Sequence, residues 1–124
     1  MGKFVVKATE KGARFNLLAG NGQVIATSQT YKALRSCLAG VESVRTNAPI
    51  AAVEDQTQED WTKEKCPKFQ VYQDKAGEFR FRLLAKNGQN IAASEGYTAK
   101  KSCLNGIESV RKNAVDSEVV QEEE

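Results

Sequence analysis

The sequence predicts an α+β fold built of two tandem repeats, each a run of strands followed by one helix and a short further strand. Three observations predict it. Arg14–Ala48 (RFNLLAGNGQVIATSQTYKALRSCLAGVESVRTNA) and Arg80–Ala114 (RFRLLAKNGQNIAASEGYTAKKSCLNGIESVRKNA) align without a gap at an offset of 66, with 23 of 35 positions identical. Each copy carries period-2 alternation around an Asn-Gly pair, the mark of a hairpin. Each then shows an apolar stripe at helical spacing.

In order, Lys3–Thr9 places Phe4, Val6 and Ala8 on one side of an alternating pattern and reads as a strand, turning at Gly12. Arg14–Ala19 is a second strand, with Phe15, Leu17 and Ala19 on one face and Arg14, Asn16 and Leu18 on the other. Asn21-Gly22 predicts a type I′ hairpin into Gln23–Ser28, because both central positions of that turn need positive φ. A hydroxyl of the Ser28/Thr30 region is expected to cap a helix starting near Tyr31 or Lys32. Its stripe is Ala33, Cys37, Val41, Val44 and Ala48; Gly40 beside it signals close approach of helix and sheet. Pro49 ends the helix, and Ile50–Val53 reads as a strand. Glu54–Lys65 is polar and mostly acidic, a linker with Trp61 anchored or exposed, closed by Cys66-Pro67.

The second copy gives strands Lys68–Gln73, Phe79–Ala85 and Gln89–Ser94. Thr98 is the expected cap, Ala99, Cys103, Ile107, Val110 and Ala114 form the stripe, and Ser117–Gln121 is the closing strand. The expected organisation of the 124 residues is one domain: repeat 1 at 3–53, an acidic linker at 54–67, repeat 2 at 68–121 and an acidic tail at 122–124. Either half alone would bury little of its surface, so the halves should share a core.

The paired pattern F-x-F/L-x-L-x-A-x-N-G-Q-x-I-A-x-S-x-x-Y followed by S-C-L-x-G-I/V-E-S-V-R-x-N-A resembles the YegP-like family, bacterial tandem-repeat domains of unknown function. The resemblance covers Lys3–Ala48 and Lys68–Ala114. It implies two β3-α-β units in a single, mainly antiparallel sheet, with the C-terminal strand of each unit exchanged into the other half. It supplies no catalytic or binding residues. It agrees with the pattern of the residues: two helices on one apolar sheet face, with Ile50–Val53 and Ser117–Gln121 as the exchanged strands.

Composition narrows the function. The chain has no histidine, which removes the Ser-His-Asp triad, the Cys-His pair and every His-containing zinc site. Three cysteines without CxxC spacing read as free thiols; Cys37 and Cys103 lie on the buried stripes, and Cys66, in the linker, is expected to be more exposed. No cofactor and no metal is expected. No apolar run is long enough to span a membrane and no export signal is recognisable, so a cytoplasmic location is expected.

Charge is uneven. Residues 1–48 carry 7 positive and 2 negative side chains, 49–67 carry 2 and 5, 68–114 carry 9 and 4, and 115–124 carry none and 5. The alternation puts Arg14, Arg80 and Arg82 on the open sheet face, a candidate surface for weak, sequence-tolerant nucleic-acid binding. The repeated Ser28/Tyr31 and Ser94/Tyr97 corners are candidate ligand sites, with backbone bonding by the serines and half-burial of the tyrosines as the alternative. The leading expectation is a non-enzymatic interaction or scaffold module, monomeric with internal pseudo-two-fold symmetry, whose partner is a protein or small molecule. Nucleic-acid binding comes second and an enzyme third, since no spacing brings an acid/base pair together.

Overall fold

The computed structural model describes residues 2–123, without the side chains of Asp116 and Glu123; Glu124, the end of the expected tail, lies outside them. Strands β1 (Lys3–Thr9) and β2 (Gly12–Leu18) pair as a hairpin, β3 (Val24–Thr27) follows, α1 (Leu34–Asn47) crosses the sheet, and β4 (Ala52–Asp55) closes the first repeat. Strands β5 (Lys68–Gln73), β6 (Phe79–Leu84) and β7 (Asn90–Ala93), helix α2 (Lys100–Asp116) and strand β8 (Glu118–Glu123) repeat the plan.

The eight strands form one sheet in the order β4-β5-β6-β7-β3-β2-β1-β8. The closing strands are exchanged: β4 pairs parallel with β5, and β8 pairs parallel with β1, while the other pairs are antiparallel. The halves meet at β3 and β7 through the single register pair Thr27–Ala93. So thin a seam is bridged by the helices, since α1 packs on β7 of the other half and α2 packs on β3.

The stripes are buried from Cys37 and Cys103 onward, whereas their first members, Ala33 and Ala99, are exposed ahead of the helices. Cys37, Val41, Val44 and Ala48, with Cys103, Ile107, Val110 and Ala114, face the sheet. Phe4 meets Phe15 edge to face at 5.6 Å, and Phe69 meets Phe81 at 5.9 Å. Each buried ring contributes about 1.5–3 kcal/mol, and each pair about 1 kcal/mol beyond that.

Four local expectations are corrected. The hairpin turns are not type I′, because no residue other than glycine has positive φ. Gly22 and Gly88, at φ 86° and 85°, take the left-handed position of a three-residue loop, in which the N–H of each donates back to Ala19 or Ala85. Asn21 and Asn87 contribute side-chain oxygens that accept the N–H of Gln23 and Gln89 at 3.0 Å. The helices start at Leu34 and Lys100 rather than near Tyr31, with no side-chain cap at Ala33 or Ala99, both of which are exposed. The chain stays extended up to that point because Tyr31 bridges Ala13 through two backbone bonds, and Tyr97 bridges Phe79 likewise.

Ser28 is not a cap either. Its Oγ accepts the Phe15 N–H at 2.9 Å and donates to the Gln29 carbonyl at 2.8 Å. Finally, Ala48–Ile50 forms a single 3₁₀ turn with Pro49 in its first turn, where the missing N–H costs nothing, leaving Ile50 71% exposed and β4 two residues later than expected.

Candidate functional site

The Ser/Tyr corners divide into a structural and an available part. Ser94 repeats the Ser28 arrangement, accepting the Phe81 N–H at 2.9 Å and donating to the Glu95 carbonyl at 2.8 Å, so both serines are occupied by backbone. Tyr31 and Tyr97 lie against the helix glycines. A Cβ on Gly40 would stand 2.5 Å from the Tyr31 hydroxyl oxygen, and one on Gly106 would stand 2.6 Å from that of Tyr97. The close approach signalled by these glycines is therefore to a tyrosine hydroxyl, with the Phe15 and Phe81 rings behind it. Burial, and then the neighbouring Cys37, raises the Tyr31 hydroxyl above its ordinary range; burial, Cys103 and Glu95 do the same at Tyr97.

Beside Tyr31 runs an open-sided groove of about 390 Å³ between α1 and the β6–β7 hairpin of the other repeat. Ser36, Gly40 and Ser43 line one wall, Asn87, Gln89 and Ile91 the other. The equivalent positions of the other copy lie on α2 and the β2–β3 hairpin. Of the nine lining residues, only Ala39 differs in the other copy, where Asn105 stands. Ser43 is used internally, accepting the Asn47 side-chain amide at 3.1 Å. Ser36 and Gln89 are exposed and form no side-chain hydrogen bond among the described residues.

The three arginines of the open face are not equivalent. Arg80 Nε donates to Asp74 Oδ2 at 2.6 Å. That bond, first, and then the Glu78 N–H, hold the Asp74 carboxyl below its ordinary range. Arg82 Nε donates to Gln70 Oε1 at 2.6 Å, and its guanidinium lies 4.6 Å from the Tyr72 ring centroid. Arg14 is exposed and has no carboxylate partner among the described residues. The basic face is thus a single free corner rather than a continuous stripe.

Two features escaped the sequence reading. Glu54, assigned to the linker, is a β4 residue only 1% exposed, and its Oε2 accepts from the 4%-exposed Lys68 at 2.7 Å. The linker folds over the pair: the Glu64 N–H donates to Glu54 at 2.8 Å, and the Glu64 carbonyl accepts from Lys68 at 3.1 Å. Burial alone would raise the Glu54 carboxyl, but Lys68, the Glu64 N–H and the Gln56 and Gln70 amides outweigh it and lower its pKa from 4.5 to about 2. Nothing in the composition of an acidic stretch marks one of its carboxylates as buried.

The second feature is a pair of strand clamps. Arg45 of α1 donates to the Ser117 carbonyl ahead of β8, and Arg111 of α2 donates to the Ala51 carbonyl ahead of β4 at 2.6 Å. Each guanidinium also lies 5.5 Å from a ring centroid, Phe4 or Phe69, while its Nε is buried without an acceptor among the described residues. Their identity in both copies was the available signal.

Other chemistry is sparse. Burial raises the Cys37 thiol, and burial followed by the Asp55 charge pushes Cys103 up to about 11. Cys66 is half-buried. Among the described residues no group of three or more Cys, Asp or Glu side chains could hold a metal ion, and no helix is long and apolar enough to cross a membrane.

Comparison with known proteins agrees with this architecture. The model of a domain of unknown function, DUF1508, matches residues 8–55 and 74–121. A UPF0339 protein of Bordetella pertussis is 38% identical over 113 residues, covering 91% of this chain and 88% of its own length. One from Treponema denticola is 59% identical over 54 residues, which are 44% of this chain but 93% of that protein; one from Stutzerimonas stutzeri is 71% identical over 48 residues, 39% of this chain and 43% of its own length. The solution structure of the protein of unknown function yegP from E. coli superposes with a TM-score of 0.78 at 31% identity, over 98% of this chain and 93% of that one. That of a UPF0339 protein from Shewanella oneidensis gives 0.79 at 28% identity, over 98% and 92%. With both halves matched and the whole architecture shared, the chain belongs to the DUF1508 family of YegP-like tandem-repeat proteins, whose matched members are uncharacterised.

Proposed function

We propose that the chain is a non-enzymatic binding module whose two related grooves, each walled by the helix of one repeat and the hairpin of the other, hold an uncharged, hydrogen-bonding segment of a partner protein. One observation carries the reading. Ser36 and Gln89 are exposed, have no internal side-chain partner among the described residues, and yet recur as Ser102 and Gln23. The fold gives no reason for that identity; a ligand does.

The groove's volume falls within the range of ligand pockets, but an open side suits an exposed chain segment better than an enclosed metabolite. Its lining contains hydroxyls and amides and no charged residue. The one ionisable group, the Tyr31 hydroxyl, is held protonated, which leaves no general base near neutral pH. Free thiols suit a reducing compartment, so the same reading makes the protein a cytoplasmic monomer that carries its symmetry within one chain.

Amide NMR of the labelled protein, titrated with a library of blocked tetrapeptides lacking charged residues, tests it. Paired shifts are expected at Tyr31 and Tyr97, Gly40 and Gly106, and Gln23 and Gln89. They should vanish in Gln23→Ala/Gln89→Ala at unchanged stability. A library that shifts none of these amides overturns the proposal.

A further inference from the structure

The two β-hairpins at the outer corners of the repeats sit at matching places in the sheet but differ by one residue in turn length and in charge. In the second repeat Asp74 holds its own turn by accepting the Ala76 N–H at 2.9 Å and the Glu78 N–H at 3.0 Å, and it neutralises Arg80 with its other oxygen. In the first repeat Thr9 occupies that place, since Ala8 pairs with Ala13 as Gln73 pairs with Phe79. Its Oγ1 also holds the turn, accepting the Lys11 N–H at 3.2 Å, but brings no charge to Arg14. Tyr72, opposite Arg80, is replaced by Lys7, directly opposite Arg14.

Like charges facing each other across an antiparallel pair are destabilising, and here a third cation adds to them. Lys7, Lys11 and Arg14, with Thr9 and Thr30, line a hollow of about 210 Å³. Among the described residues the one ion pair made by these three cations is loose, Lys7 to Glu122 at 3.9 Å, with both side chains about half exposed. Three cations and the Thr30 hydroxyl around a hollow of that size form an arrangement that a tetrahedral oxyanion relieves, while the Thr9 hydroxyl is spent on the turn, donating to the Gly12 carbonyl at 3.3 Å.

We propose that the first-repeat corner is an oxyanion site that takes a phosphate group, and that the substitution of aspartate by threonine between the copies is what opens it. The site is independent of the grooves, which lie on the helix side of the sheet. Only one of the three open-face arginines takes part, because Arg80 and Arg82 are already engaged.

The two copies supply the test, because each contains the residue to be placed in the other. Labelled protein is titrated with inorganic phosphate, and separately with sulfate, against sodium chloride of matched ionic strength. Saturating shifts are expected at Thr9, Lys11, Arg14 and Thr30. Thr9→Asp should weaken phosphate binding at least about tenfold, and Asp74→Thr should create a second set of shifts around Arg80. Arg14→Gln, checked for a native spectrum, removes the site without adding a charge. A short single-stranded oligonucleotide forms the second arm. Tighter binding than phosphate, lost in Thr9→Asp, assigns the group to a nucleic-acid backbone; phosphate binding alone assigns it to a free phosphate or phosphorylated small molecule. Equal shifts with chloride, shifts spread over all surface lysines, or a Thr9→Asp protein that binds like the parent overturn the proposal.

Discussion

Replacing Glu54 by valine, the residue found as Val120 at the matching place of the other half, tests the buried ion pair. The β4–β5 register sets Glu54 beside Gln70 just as the β8–β1 register sets Val120 beside Val5. The substitution is thus sterically precedented within the molecule, but it leaves the Lys68 ammonium buried without its carboxylate. Removing one member of such a pair costs about 3–5 kcal/mol. Replacing Lys68 by methionine and Gln70 by valine as well removes the buried charge but leaves the Glu64 N–H, the Gln56 amide and Arg82 Nε without their acceptors, so the triple variant should recover part of the loss, about 1–3 kcal/mol. Acid gives a second handle. Since folding lowers the carboxyl from 4.5 to about 2, its contribution is complete above the unfolded value and is lost as pH falls through the folded one; the difference corresponds to roughly 3 kcal/mol. Urea unfolding at pH 7 and pH 2.5 measures both effects. The triple variant should lose less on acidification than the parent. A single-variant loss below about 1 kcal/mol at pH 7, or identical acid sensitivity in parent and triple variant, would refute the reasoning.

Arg45→Ala and Arg111→Ala each remove a charge-assisted bond to a strand entrance and should cost about 1.5–3 kcal/mol, with amide exchange accelerated in β8 for the first and in β4 for the second. Gly40→Ala should destabilise by about 1–3 kcal/mol, because its Cβ would overlap the Tyr31 hydroxyl; adding Tyr31→Phe should recover part of the loss in thermal melts. Thiol labelling with an aromatic disulfide at pH 8 should modify Cys66 first and leave Cys37 and Cys103 untouched until denaturant is added.

What the sequence revealed was what repeats and what alternates. The strand faces and the stripes from Cys37 to Ala48 and from Cys103 to Ala114 follow from periods of two and of about 3.6, whereas the exchange of the closing strands is implied by the resemblance to the YegP-like family and not by any period. What it concealed depends on partners distant in the chain. Ser28 resembles a helix cap locally, yet its oxygen is claimed by Phe15 across the sheet, and Tyr31 stays extended because Ala13 pairs with it. Asn21-Gly22 suggests a two-residue turn, but Gly20 joins the loop and glycine alone takes the left-handed position. Glu54 is indistinguishable by type from its exposed neighbour Glu59; only the fold of the linker over Lys68 separates them. At the candidate sites, alternation relates Arg14, Arg80 and Arg82, but their inequality rests on Thr9 and Asp74, which become comparable only once the strand register is known.

The exchange of closing strands also governs how the protein can be made. Because Lys3 pairs with Glu118, the outer edge of β1 gains its neighbour only after more than a hundred further residues, β8 included, have left the ribosome. A nascent first repeat can form its hairpins and helix, yet its sheet remains one strand short, exposing unpaired backbone groups of the kind that recruit other chains. Lys3 and Lys7 on that edge, with opposite charge arriving later on Glu118 and Glu122, keep it soluble while it waits and help to select the right strand when it comes.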